Sequence, residues 1–275
     1  MPGLATVEWE QARGAVGAVV PRVAGLLRSV RDPVAPALGE WNVAEVATHL
    51  TQAWEGLPRL ALTDTASPLR DMRDLAGFTT ALVHGEPERD PHVLAGRIEA
   101  AAAGFLDASA TAKHDDRLYP WLVEGTQVPF HTFFCHLLSE SLVHAYDIAR
   151  AERRPWTIER SHAALALMGF VFPVMQALDA RAIVDQEKAA GLRACYDLRL
   201  RGGGQVFVVF SDGALTVEGP SSRGVDCHIS ADPTALLLVV WGRQSQWSAI
   251  RKGRLVAWGR RPWLGPKLMS LIRTP

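Results

Sequence analysis

The sequence predicts an α+β protein in which a four-helix bundle over residues 1–187 is followed by a small mixed α/β domain over residues 188–275. Up to about residue 185, apolar residues recur every three or four positions, which is the spacing of an amphipathic helix. Beyond that point, short segments rich in Val, Phe and Leu are separated by glycines, a pattern typical of strands joined by tight turns. With 48% hydrophobic residues among 275, the chain can bury a full core.

Start and stop signals indicate four major helices in the bundle. Asn42 can cap a helix, and Glu45, three residues later, completes the pattern of a capping box. Pro21 should kink or break the first helix, because proline lacks the amide hydrogen that a helix interior uses. Residues 63–90, which contain several prolines and glycines, are expected to form a long crossover. The predicted helices are 7–30, the segment that follows Asn42, 130–150 and 158–185.

Turn and capping signals organise the C-terminal domain. Asp212-Gly213 favours a tight hairpin turn between two strands. Asp232 can cap a helix that has Pro233 in its first position, where the missing amide hydrogen is not needed. The predicted strands are 195–200, 205–210, 214–218, 225–230 and 254–258, and the predicted helices are 233–241, 245–252 and a terminal segment.

Composition excludes several classes of protein. Lysine plus arginine and aspartate plus glutamate each number 29, so the net charge is zero and nothing indicates a nucleic acid or an anionic membrane as partner. The three cysteines form no CxxC pair, which favours a reducing compartment. The N-terminus lacks the order of a signal peptide, and the apolar run over 163–175 is too short to span a bilayer. We therefore expect a cytoplasmic protein without a membrane partner.

One predicted helix carries possible metal ligands. Glu140 and His144 are four residues apart and therefore share a helix face, which His136 extends by another turn. Imidazole and carboxylate are good zinc ligands. With nine histidines and 29 acids in the chain, such pairs also arise by chance. A hydrogen-bonded Glu and His at a packing face is the alternative, and it is the interpretation we favour for His136.

A third ligand would have to come from a facing helix. His49 lies at the edge of the apolar stripe of the helix that follows Asn42, where a side chain can point into a bundle cleft. Two histidines and one glutamate leave a coordination position open, which is the arrangement of a catalytic zinc site. The alternative is a histidine at the solvent edge beside Trp41 and Trp54.

Two segments resemble the signatures of a known family. Residues 41–50 match W-x-V-x-x-V-x-x-H-L, and residues 140–147 match E-x-x-x-H-x-x-D. Both are similar to the DinB-like metalloenzymes typified by mycothiol-dependent maleylpyruvate isomerase. The resemblance implies a DinB-like bundle, mycothiol as a thiol cosubstrate, and three Zn²⁺ ligands: His49, Glu140 and His144.

The C-terminal half is similar to the sterol-carrier-like domain that members of this family often carry. In the isomerase, an arginine of this domain faces the metal cleft. The resemblance implies Arg243, within the Trp-Gly-Arg segment 241–243, as the catalytic counterpart. The alternatives are Arg251, Arg254 and Arg260.

The resemblance implies thiol chemistry. A zinc ion held by two neutral imidazoles and one carboxylate keeps a positive charge, so a thiol that binds there loses its proton near neutral pH. The mycothiol thiolate then attacks a small electrophile, and either leaves again after cis-trans isomerisation or stays in the product as S-transfer. Asp147 is expected to orient a ligand, whereas Cys135 faces away from Glu140 and is expected to be core.

Two other functions stay open. A zinc-dependent hydrolase would use Glu124 or Asp147 as its base. An apolar-ligand carrier would use the sterol-carrier-like domain, although aromatic residues at such spacings are more often ordinary core. The residues that would line its cavity are 236–241, Trp247, Trp258 and Trp263.

Substrate contacts are expected in the segments that flank the candidate ligands. These are 63–90 and 115–127, the latter with Tyr119, Trp121 and Glu124 ahead of the ligand helix. The expected partners are mycothiol and a small-molecule electrophile, in a monomer or homodimer.

Overall fold

The computed structural model describes residues 3–4, 7–63, 65–110 and 117–273 of the chain. The chain forms two compact units, one spanning Glu8–Ile158 and the other Glu159–Pro275 together with Met1–Val7. The predicted α+β class, with a helical bundle followed by a small mixed domain, is confirmed. The units divide between Ile158 and Glu159, whereas the sequence placed the domain boundary after residue 187.

The first unit is a bundle of four long helices. Its helices are α1 (Trp9–Arg28), α2 (Val43–Leu62), α3 (Leu75–Gly85), α4 (Pro91–Ser109) and α5 (His131–Ala151), with a 3₁₀ turn at Met72–Asp74. Its strands form two short hairpins: β1 (Pro36–Leu38) with β2 (Trp41–Asn42), and β3 (Leu118–Pro120) with β4 (Gln127–Pro129). Both α1 and α2 pack against α4 and α5, and fully buried residues such as Val16, Leu50, Ile98 and Leu137 form the core.

The fourth bundle helix is α4, and the assignment of residues 158–185 to the bundle was wrong. Asp90 caps α4 by accepting a hydrogen bond from the His92 amide at 2.8 Å, and Pro91 occupies the first helical position. This is the same Asp-Pro start signal that the sequence carries at 232–233. The signal therefore predicts α4, but the proline- and glycine-containing stretch before it obscured the pattern.

Local signals set how the bundle helices begin and continue. The capping box of α2 is confirmed, because the Asn42 side chain accepts from the Glu45 amide and the Glu45 carboxylate accepts from the Asn42 amide, both at 2.9 Å. Helix α1, in contrast, continues through Pro21 without the predicted break. Val20 and Val23 on either side are buried, and this packing offsets the roughly 3 kcal/mol cost of an interior proline.

The second unit packs helices against a five-stranded sheet. Its strands are β5 (Arg193–Leu200), β6 (Gln205–Ser211), β7 (Ala214–Glu218), β8 (Cys227–Ala231) and β9 (Leu255–Trp258). Its helices are α6 (Arg160–Ala166), α7 (Phe172–Ala177), α8 (Ala180–Ile183), α9 (Gln186–Ala189), α10 (Pro233–Val240), α11 (Gln246–Arg251) and α12 (Leu264–Leu271), with a π-helical segment at Leu167–Val171. Because α6 packs on α10, and α7 and α8 pack on β7, the chain from Glu159 onward joins this unit.

The sheet has the strand order β7-β6-β5-β8-β9, with β5 and β8 parallel and the other neighbours antiparallel. The predicted hairpin is confirmed: Asp212 and Gly213 join β6 to β7 with φ values of 54° and 84°, as a two-residue type I′ turn requires. Asp232 caps α10 through the Ala235 amide at 3.0 Å, also as predicted. Within the described residues, no helix combines the length and the apolar character needed to cross a bilayer.

A buried carboxylate links three strands of this sheet. Asp197 on β5 is 1% exposed, and its side chain is bonded to Arg199 at 2.8 Å, to Gln205 on β6 at 2.7 Å and to His228 on β8 at 2.7 Å. Burial alone would raise the pKa of Asp197, but these hydrogen bonds outweigh it and lower the pKa below its usual value of 3.8. The carboxylate is therefore ionised in the folded state near neutral pH.

Asp197→Asn should lower the free energy of unfolding near pH 7 by about 1.5–3 kcal/mol, because it weakens charge-assisted hydrogen bonds. The folded pKa lies below the unfolded one, so the stabilisation is present above the unfolded pKa and is lost as the pH falls through the folded value. Urea unfolding at a series of pH values should show the difference from wild type shrinking below about pH 4. Glu187→Gln, at an exposed position on α9, is the control; a difference that does not change with pH would contradict the argument.

Candidate metal centre

Three side chains from two helices of the bundle converge on one point. His49 on α2 lies with its Nε2 atom 3.2 Å from Oε2 of Glu140 on α5, and Nε2 of His144 lies 3.2 Å from the same oxygen. One ligand atom from each residue can be chosen so that all three lie within 4.8 Å of one another. The structure thus brings together the three residues that the sequence singled out, and His49 is not a solvent-edge histidine.

A hydrogen bond between the same two helices fixes their register next to this site. The indole Nε1 of Trp54 on α2 donates to Oγ of Ser141 on α5 at 3.1 Å, and both residues are fully buried. Trp41, just before α2, packs its ring against His49 with a centroid distance of 5.2 Å. The sequence placed both tryptophans beside His49 but did not show the partner of Trp54. Trp41 was visible as the first residue of the 41–50 signature, whereas no local signal pairs Trp54 with Ser141.

The Glu140 carboxylate is held ionised in a largely enclosed position, with its side chain 13% exposed. Burial alone would raise its pKa, but hydrogen bonds with His136, His144 and His49 outweigh burial and hold the pKa well below its usual range. Burial lowers the pKa of His49 despite its bond with Glu140. Burial would also lower the pKa of His144, but Asp147 and Glu140 raise it to about 9. The negative charge is thus compensated locally by imidazole donors.

Asp147 sets the orientation of one candidate ligand. Its Oδ2 atom lies 3.2 Å from Nδ1 of His144, and the residue is 2% exposed. A carboxylate at Nδ1 holds the proton on that nitrogen, so Nε2, which points at Glu140, is the nitrogen left to bind a cation once the cation displaces its proton. This arrangement agrees with the supporting role implied by the resemblance.

The donor set fits a divalent cation of the zinc type. Two imidazole nitrogens and one carboxylate oxygen are the ligands of many catalytic zinc sites, where a fourth position stays open. Here the carboxylate is already ionised and one imidazole is already oriented by a second carboxylate. His49, Glu140 and His144 could therefore hold such an ion without any of the buried cysteines.

The loop before α5, where substrate contacts are expected, packs against the ligand helix. Trp121 is 1% exposed and packs on His136 with a centroid distance of 5.7 Å, so it belongs to the packing around the ligand helix. Tyr119 contacts Phe130 and lies under the Arg117 guanidinium, and Glu124 is exposed. Residues 115–116 of the expected contact segment lie outside the described residues.

The candidate thiol of the chain itself is core, as predicted. Cys135 is fully buried, and burial raises its pKa to about 12. A thiol with so high a pKa is almost entirely protonated at neutral pH and is a poor nucleophile. It contributes packing to α5.

The arginines singled out in the sequence all lie in the second unit. Arg243 follows α10, and its guanidinium donates to the Trp241 carbonyl at 2.5 Å. Arg260 pairs with Asp226, while Arg251 and Arg254 are exposed.

The helical bundle matches the model of a known protein family. The family model described as mycothiol maleylpyruvate isomerase N-terminal domain matches residues 11–149, just over half of the chain. The chain belongs to this family. The match spans all three residues of the candidate metal centre, and the resemblance read from the two signatures is confirmed. A second model, the SCP-2 sterol transfer family, matches residues 175–260 of this maleylpyruvate isomerase family member.

Solved structures agree with the family at the level of the fold. The crystal structure of the mycothiol-dependent maleylpyruvate isomerase is similar with a TM-score of 0.52 at 14% identity, over 94% of this chain and 95% of that chain. A histidine-to-alanine mutant of that isomerase gives the same values. None of the curated proteins matches the chain.

Asp147→Asn should weaken metal binding about 10- to 100-fold, which is the usual effect of removing a carboxylate that orients a histidine ligand. Competition with a chromophoric chelator measures the affinity. Asp107→Asn, at an exposed position on α4, should leave the affinity unchanged. Equal affinities of Asp147→Asn and wild type would show that Asp147 does not act through His144.

Proposed function

We propose that this protein is a mycothiol-dependent metalloenzyme that adds the thiol of mycothiol to a small electrophile. The observation that carries the proposal is the convergence of His49, Glu140 and His144 within 4.8 Å in a bundle of the mycothiol maleylpyruvate isomerase family. When bound, a divalent cation such as Zn²⁺ would supply the positive charge that lowers the pKa of a coordinated thiol towards neutrality. Asp147 holds the His144 ring with its Nε2 atom toward Glu140, and burial lowers the pKa of His49 and so favours its neutral form.

The thiol has to come from outside the chain. All three cysteines are buried, and burial raises the pKa of Cys135 to about 12 and that of Cys195 to about 11. Burial also raises the pKa of Cys227. A soluble thiol such as mycothiol, which would bind at the coordination position that three protein ligands leave to a catalytic zinc ion, meets this need.

Two reactions use the same site. In an isomerisation, the mycothiol sulfur bonds to one carbon of a conjugated double bond, the resulting single bond rotates, and the carbon–sulfur bond breaks again. In an S-transfer, the carbon–sulfur bond stays and a leaving group departs with its electron pair. Both reactions need the thiolate, and the structure of the electrophile decides which of them occurs.

A second candidate function, binding of an apolar ligand, is favoured by a cavity in the second unit. The cavity has a volume of about 360 Å³, and its lining includes Leu198, Ile229, Leu236, Leu255, Leu268 and Met269. The match to the SCP-2 sterol transfer family covers residues 175–260, which include the lining as far as Leu255 but not Leu268 and Met269. Leu236 lines the cavity as expected, but residues 237–241 do not. The three expected tryptophans also lie outside the lining and are 57%, 41% and 66% exposed: Trp247, Trp258 and Trp263.

His49→Ala should abolish stoichiometric zinc binding, because only two protein ligands then remain. Metal analysis of purified protein should give one equivalent for wild type and for the control His92→Ala, whose histidine is exposed on α4.

In the cobalt-substituted protein, mycothiol should shift the visible spectrum. A visible spectrum that mycothiol does not change, together with cleavage of an ester substrate by the protein, would favour the hydrolase. A metal-free protein that takes up a fluorescent fatty acid would favour the carrier.

The same preparation decides between the two thiol reactions. Mass spectrometry of products formed with mycothiol and candidate acceptors should show a retained thiol mass for S-transfer and an unchanged substrate mass for isomerisation. A reaction that proceeds equally well without mycothiol would contradict the proposal.

Arg243→Ala should leave the metal content unchanged and lower turnover of a carboxylate-bearing substrate, because a guanidinium can bind a carboxylate through two hydrogen bonds. Arg251→Ala, at an exposed position, is the matched control. Unchanged kcat and KM in Arg243→Ala would show that another arginine has this role.

A further inference from the structure

The two oxygens of Glu140 have different partners. Oε2 faces His49 and His144, each at 3.2 Å. Oε1 lies 3.4 Å from Nε2 of His136, one turn earlier on α5. The carboxylate is therefore held from both sides, with one oxygen in the candidate metal centre and the other directed away from it.

His136 is itself held in place by packing. It is 5% exposed, and its ring lies against Trp121 at a centroid distance of 5.7 Å. Trp121, in the loop between β3 and β4, is 1% exposed, and its amide donates to the Thr126 carbonyl at 2.9 Å. The loop thus packs the indole ring of Trp121 against the imidazole of His136, which contacts Glu140.

We propose that His136 is a positioning residue for the metal centre: it binds Oε1 of Glu140 and so directs Oε2, and only Oε2, at the cation. This inference rests on the proposed function, since it assigns a role toward the same metal. It is distinct from ligation, because the ligand group found among the described residues consists of His49, Glu140 and His144 and does not include His136.

The physical reason is the freedom of a carboxylate to rotate about its last side-chain bond. A carboxylate without a partner on its second oxygen can turn away or bind a metal through both oxygens. A hydrogen bond to the second oxygen removes these alternatives before the ion arrives. Partners that orient a ligand in this way typically contribute 10- to 100-fold in metal affinity.

Three variants test the inference. His136→Phe keeps the bulk of the ring and removes the donor, and it should weaken zinc binding by about 10- to 100-fold while one equivalent still binds at saturation. His136→Gln restores a donor at (i, i+4) distance from Glu140 and should recover much of the affinity. Cys135→Ala, at the neighbouring buried position on α5, changes packing without touching Glu140 and should bind as wild type does. Chelator competition measures the affinities, and circular dichroism checks the fold.

The outcomes separate this inference from the proposed function. Equal affinities for wild type and His136→Phe would overturn the inference and leave the metal centre intact. Loss of the single equivalent, so that His136→Phe keeps its fold but binds no metal even at saturation, would make His136 a ligand and would also overturn the inference. If wild type itself binds no metal, the proposed function fails. Histidine ¹⁵N NMR of the metal-free proteins then decides: ring signals of His49 and His144 should move in His136→Phe and not in Cys135→Ala, and unmoved signals would refute the contact.

Discussion

The ionised carboxylate of Glu140, largely enclosed between two helices, makes the contacts on which the candidate metal centre depends. An unpaired charge in such a place would cost several kcal/mol. Three imidazoles surround it instead, from His49, His136 and His144, and their hydrogen bonds outweigh the effect of burial on its pKa. The imidazoles that stabilise the charge of Glu140 also place nitrogen and oxygen donors around one point. The packing between α2 and α5 and the candidate metal centre therefore depend on the same side chains.

The position of His49 follows from how α2 begins and how it is held against α5. The capping box at Asn42 and Glu45 fixes the first turn of α2, and His49 follows less than two turns later. The buried hydrogen bond from Trp54 to Ser141 then sets the height of α2 along α5, one residue from Glu140. A shift of one helical turn, about 5.4 Å, would take the His49 ring out of reach of the carboxylate.

The two units offer different chemistry. The bundle brings together oriented nitrogen and oxygen donors that could hold a cation, whereas the second unit provides an apolar cavity between the sheet and its helices. The two family matches follow the same division, with residues 11–149 in one family and 175–260 in the other. At 14% identity, the likeness to the solved isomerase extends to the fold.

Features that depend on neighbours a few residues apart could be read from the sequence. They include the capping box of α2, the Asp212-Gly213 turn and the spacing that puts Glu140 and His144 on one face of α5, because each is decided within one or two helical turns or one hairpin. Features that depend on packing between distant segments could not. Only the tertiary structure showed that α4 and not residues 158–185 completes the bundle, that Trp121 packs on His136, and that the units divide after Ile158. An apolar helix face shows that a helix is buried, but many partners satisfy it equally well, and the choice among them is made by the shape and volume of the whole core.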